Sequence, residues 1–121
     1  MKTRVTEMLG IETPIICGGM MRVGTAELAA AASNAGALGV MTALTQPTPE
    51  GLRAEIEKCR SLTDKPFGVN LITMHPQLFD LIEVCARHKV GHVVLAGGIP
   101  PKGSIEALKQ AGALRAELVV I

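Results

Sequence analysis

Two glycine pairs and one asparagine mark the places where this chain could meet a ligand. Gly18-Gly19 follows the apolar run Pro14-Ile15-Ile16-Cys17, and Gly97-Gly98 follows Val93-Val94-Leu95-Ala96. Backbone without side chains lets peptide N–H groups come close to a flat or anionic ligand. The same pairs also suit plain tight turns between a strand and a helix. Asn70 interrupts the apolar run Phe67-Gly68-Val69-Asn70-Leu71-Ile72 and carries both a donor and an acceptor. No Walker loop, GxGxxG or GxSxG elbow is present. His75 sits just past the third apolar run and reads as a surface residue at a helix entry. His88 falls at a helix C-terminus, and His92 opens the fourth run at its far end. Glu55, Glu57, Asp80 and Glu83 read as solvated helix faces. Cys17, Cys59 and Cys85 lack metal or disulfide spacing, and nothing next to Cys17 in sequence would activate its thiol. The residue types therefore offer a binding surface but no catalytic residue and no metal site.

These residues hang on a repeated unit. Apolar runs begin near residues 14, 38, 66, 92 and 117, and helical stretches lie between them at 25–35, 50–60, 77–88 and 104–111. Leu52, Ile56 and Cys59 share one helical face, as do Leu78, Leu81, Ile82 and Cys85. Thr48 before Pro49 suits a helix start. Continuously apolar strands alternating with amphipathic helices predict right-handed βαβ units and a parallel sheet covered by helices. Ligands in such folds sit at the carboxyl ends of the strands, where both glycine pairs and Asn70 fall.

Composition narrows the function. The 121 residues carry a net charge of +1 and are 48% hydrophobic, which suits one globular domain. Two Phe with no Tyr or Trp leave no stacking platform for single-stranded nucleic acid. Twelve scattered Lys and Arg do not build a basic face, so no nucleic-acid partner is expected. No apolar run reaches the roughly 18 residues of a membrane span, and the start lacks a signal-peptide core. The expectation is a cytoplasmic protein away from membranes.

Two architectures fit the repeat. One is the N-terminal portion of a (β/α)8 TIM barrel, with about four βα units and a fifth strand. The other is a flavodoxin-like, doubly wound sheet. The apolar ending Leu118-Val119-Val120-Ile121, with no helix after it, favours a partial barrel. The expected organisation is one partial TIM-barrel domain over 1–121, truncated at its C-terminus. Its unpaired strand edges would favour self-association, so a homo-oligomer is among the expectations.

Four stretches in order resemble the nitronate monooxygenase family, formerly called 2-nitropropane dioxygenases, and the related flavin-dependent enoyl-ACP reductases. They are Pro14 to Met20, Ala26 to Gly39, Leu62 to Asn70 and His92 to Gly98. The resemblance implies an FMN-dependent oxidoreductase that oxidises alkyl nitronates with molecular oxygen. The alternatives are an enoyl-ACP reductase and a non-catalytic flavodoxin-like binding module. By the same resemblance, Gly19, Met20 and Met21 match the loop whose backbone meets the flavin. Asn70 matches the asparagine that contacts it, and Gly97 and Gly98 line the same mouth. Cys17 stands where the family usually has Gln. The family's catalytic histidine and its phosphate-binding loops belong to positions beyond Ile121. The tail from Leu114 also departs from the family's usual strand.

Overall fold

The computed structural model describes residues 1–46, 48–110 and the backbone of the strand Ala116–Val120. Five strands, β1 (Ile16–Cys17), β2 (Leu38–Thr42), β3 (Phe67–Ile72), β4 (His92–Ala96) and β5 (Ala116–Val120), form one sheet. All neighbouring pairs are parallel, and the spatial order is the sequence order β1-β2-β3-β4-β5. A doubly wound sheet would reverse direction after its first strands. Here each strand is added beside the last, which is how a barrel wall grows. The chain is an arc of a (β/α)8 barrel, and the flavodoxin-like alternative is excluded.

The helices explain why. Alpha helices α2 (Ala26–Asn34), α3 (Pro49–Leu62), α4 (Leu78–Arg87) and α5 (Ser104–Gln110) carry the four crossovers. Their inward residues Ala29, Ile56, Leu81 and Leu108 share one core with Met41, Val69, Leu71, Val93 and Leu95 of the sheet. Because successive strand residues point to opposite faces, Leu38, Val40 and Val94 point the other way. They form a second cluster with Leu9 and Ile11. All crossover helices therefore lie on the outer face, and the inner face is closed at its amino end by α1 (Arg4–Leu9).

The α1 helix was not foreseen from the sequence. Six residues are too few to nucleate a helix unaided. A capping box supports it: Thr6 N donates to Thr3 Oγ1 at 3.1 Å, and Thr3 N donates to Thr6 Oγ1 at 2.8 Å. Gly10, at φ 72°, ends it in the left-handed region. The first strand is also shorter than the 14–17 expected. Pro14 has no N–H to give to the ladder, and β1 has β2 on one side as its sole described neighbour. The cap predicted at Thr48 is present, with Gly51 N donating to Thr48 Oγ1 at 3.0 Å. The expected end of α5 at Ala111 and the tail at 111–115 and 121 lie outside the described residues.

One acid needs correction. Glu55 is not merely a solvated residue of α3, because its Oε2 accepts from Ala26 N at 2.8 Å and so caps α2. Nearby, Lys58 of α3 pairs with Glu27 of α2, and the hydrogen bond from Lys58 holds the Glu27 carboxyl down at about 2. Both contacts fix the angle of α2, the helix that carries the first loop of the mouth.

Candidate functional site

The carboxyl ends of the strands gather the residues that the sequence singled out. After β1 the chain turns through Gly18–Thr25 before entering α2. Val23 N and Gly24 N both donate to Met20 O, at 3.1 and 2.6 Å, making a compact turn. The last residue of β2 and the short helical turn after it (Ala43–Thr45) hold this loop down: Thr42 N donates to Gly24 O at 2.8 Å, and Arg22 N donates to Thr45 Oγ1 at 2.9 Å. Arg22 adopts φ 66°, a left-handed conformation uncommon outside glycine.

Gly19 lies directly over β2 and β3. A Cβ placed on it would be 2.8 Å from Asn70 Cβ and 2.9 Å from Thr42 Oγ1. Any side chain there would push the loop off the sheet. Asn70, half-buried, pairs in register with Thr42 on one side and Val94 on the other. All three belong to the inner face, by alternation with Val40. The structure thus brings Gly19 and Asn70 together and leaves Met20 and Met21 on the rim, 43% and 57% exposed.

Gly97 and Gly98 lie one strand further round. Gly97 adopts φ 90°, which demands glycine, so the tight-turn reading applies to it in full. A Cβ on Gly98 would sit 3.2 Å from Thr73 Oγ1. Both glycines share the mouth edge with Asn70 but belong to a different loop. Thr42, the last residue of β2, joins them at this edge and is not among the residues singled out from the sequence. The signal was its register partner: a polar residue at the last position of β2, beside Asn70.

The histidines divide as expected. His75 Nδ1 accepts from Gln77 N at 3.0 Å and so organises the entry to α4. It also lines a rim cavity of about 390 Å³ with Thr73, Phe79, Asp80 and Pro101. His88 is the C-cap of α4. His92, buried, opens β4 at the opposite end of the sheet from the glycine loops. Among the described residues, no group of His, Cys, Asp and Glu is arranged to hold a metal ion.

The cysteines supply a readout of this geometry. Cys59 and Cys85 are fully buried, and burial pushes their thiols up to about 11 and about 12. Cys17, at the root of the glycine loop, is partly accessible. Native chain treated with a disulfide reagent at pH 8 is expected to release one equivalent, and denatured chain three. Rapid labelling of all three in the native chain would contradict the packing of α3 and α4.

Comparison with known proteins agrees with this layout. The family model of nitronate monooxygenase matches residues 2–96. The chain belongs to the nitronate monooxygenase family. It is 51% identical over 76 residues to a nitronate monooxygenase of Pseudomonas aeruginosa, covering 63% of this chain and 21% of that protein. A second relative, 39% identical over 115 residues, is the (3aS,4S,5R,7aS)-5-hydroxy-7a-methyl-1-oxo-octahydro-1H-indene-4-carboxyl-CoA dehydrogenase of Mycobacterium tuberculosis. The alignment takes in 94% of this chain and 32% of that one. FabK of Thermotoga maritima superposes with a TM-score of 0.92 at 43% identity, over 100% of this chain and 38% of its own. The chain therefore spans about a fifth to two fifths of the proteins it matches. Among the described residues, no helix is long and apolar enough to cross a membrane.

Proposed function

We propose that these residues form the flavin-facing front of an FMN-dependent oxidoreductase that oxidises alkyl nitronates with molecular oxygen. The observation that carries this reading is the seating of Gly19 over Asn70 and Thr42. It presents side-chain-free backbone next to a carboxamide, at the edge of the sheet where barrel enzymes bind. Membership of the nitronate monooxygenase family supports a flavin as the ligand of that cradle. Backbone of Gly19, Met20 and Met21 would hold the flat ring, Asn70 would reach a polar ring edge, and Gly97-Gly98 would border the same mouth. When bound, FMN would supply the electron transfer between nitronate and oxygen, while the chain supplies position and orientation. On this reading the chain is a partial barrel whose remaining wall is contributed by further strands.

The Mycobacterium relative favours a second reading, since its name describes a dehydrogenase of a CoA thioester. The fit to FabK suits the flavin-dependent enoyl reductase alternative. Both keep the flavin cradle and change what lies against it.

Titrating the chain into dilute FMN and following flavin fluorescence tests the shared part. Wild-type chain is expected to quench it. Gly19→Ala, whose methyl would strike Asn70 and Thr42, is expected to weaken binding about tenfold or more, since the loop must lift. Unchanged binding by this variant would remove the cradle from the site. A small aliphatic nitronate that perturbs the visible spectrum of the bound flavin, where an enoyl thioester does not, would support the first reading. The reverse pattern would move the assignment to the second.

A further inference from the structure

Thr42 is a costly residue for the fold alone. It is 6% exposed, and its Oγ1 is buried with no hydrogen-bond partner among the described residues. A buried hydroxyl left unpaired destabilises the folded state, so native proteins keep few and each asks for an explanation. Holding the glycine loop does not provide one. The contact that does so uses the Thr42 backbone, whose N–H donates to Gly24 O. Valine would fill the same shape without the unpaired group.

Its surroundings point to Asn70. The two residues are register partners on adjacent strands. A Cβ on Gly19 would lie 2.9 Å from Thr42 Oγ1 and 3.0 Å from Asn70 Cγ, so hydroxyl and carboxamide border the same small space beneath the loop. An asparagine carboxamide rotates freely about its last torsion and can present either its carbonyl or its NH2 group. A threonine hydroxyl can donate to the first or accept from the second.

We propose that Thr42 is a positioning residue for Asn70: with a flavin in the mouth, its hydroxyl hydrogen-bonds the Asn70 carboxamide and fixes which end faces the ring. This rests on the flavin reading above. The cost of the unpaired hydroxyl in the free chain is then offset on binding, when the hydroxyl gains its partner. Thr42 itself need not touch the ligand.

The test is a double-mutant cycle read by FMN fluorescence, with urea unfolding of each free chain alongside. Thr42→Val is expected to weaken FMN binding about tenfold in the wild-type background and to change it little in Asn70→Ala. Thr42→Ser, which keeps the hydroxyl, is expected to bind within about twofold of wild type. Thr42→Val should be at least as resistant to urea as wild type, because an unpaired group has been removed. Equal losses in both backgrounds, wild-type binding by Thr42→Val, or a Thr42→Val chain that is less stable or fails to fold would each overturn the proposal. In those cases the flavin reading stands, provided Asn70→Ala still weakens binding. A wild-type chain that does not bind FMN, or an Asn70→Ala chain that binds as wild type does, would overturn the flavin contact at Asn70 and the role of Thr42 together.

Discussion

Gly39→Ala is expected to unfold most of the chain at temperatures where the wild type is folded. Gly39 is the second residue of β2 and faces α2. A Cβ built on it would lie 1.9 Å from Ala29 O, 2.6 Å from Ala29 C and 2.7 Å from Ala29 Cα. Those atoms are helix backbone, so no side-chain rotation can make room. The face of α2 that meets β2 consists of small residues, Ala26, Ala29, Ala30 and Ser33, all buried. Ser33 Oγ also accepts from Gly39 N at 3.1 Å within the buried interface. Admitting one methyl would require the helix to move outward by more than an atom's radius. That would break the Ser33 bond and draw α2 away from the Glu55 cap on α3. Overpacking usually costs about 1–3 kcal/mol and more when backbone must shift, so a loss above about 3 kcal/mol is expected. For a domain of this size that lowers the melting temperature by about 10 °C or more, measured by far-ultraviolet circular dichroism. Gly68→Ala is the control. Its Cβ would meet His92 O at 3.1 Å and Val40 Cγ2 at 3.4 Å, a tight fit that small shifts relieve. Equal melting temperatures for the two variants would show that α2 does not press on β2 as described.

The same contact shows what could be read from the sequence and what could not. The alternation of apolar runs and helical stripes gave the order of strands and helices, because each period of burial is written in consecutive residues. Leu52, Ile56 and Cys59 were placed on one buried face, and all three are fully buried. Strand order was not written that way. It depends on which side each helix packs, a sum over contacts such as Ala29 on Gly39 that join residues ten apart. The observed order decides for the barrel arc against a doubly wound sheet. Glu55 was misread for the same reason: its partner, Ala26 N, lies on a different helix. Within the site, Asn70 stood out as a polar residue inside an apolar run. Thr42 did not, because threonine is common in strands and its importance comes from the register with Asn70.

Supplied with FMN in air, the 121-residue chain is expected to consume no oxygen above the rate of free FMN, with either a nitroalkane or its nitronate. A neutral nitroalkane must first lose a proton from carbon, which needs a base within hydrogen-bond reach. None of the three histidines meets that need. His75 Nδ1 is taken by Gln77 N, and His88 follows the last residue of α4, at the end of the sheet away from the mouth. His92 opens β4, whose mouth end is Ala96; four residues of strand put roughly 13 Å between them. Asp80, in the first turn of α4, lines the rim cavity beside His75 and not the loop of Gly19, and Glu83 is paired with Arg87. The nitronate anion needs no such base, yet it needs a flavin shielded from water. A working pocket encloses most of its ligand's surface. Here the rim residues Met20, Met21, Met74 and Ile99 are 43%, 57%, 81% and 79% exposed, along an arc of five strands. A flavin seated on Gly19 and Asn70 would be covered on one side and wet on the other. Oxygen-electrode traces of folded chain plus FMN should therefore overlay those of FMN alone. A rate that rises with chain concentration, saturates in nitronate and is lost in Asn70→Ala would show that this arc completes its own pocket, and the account of the mouth as half a site would fall.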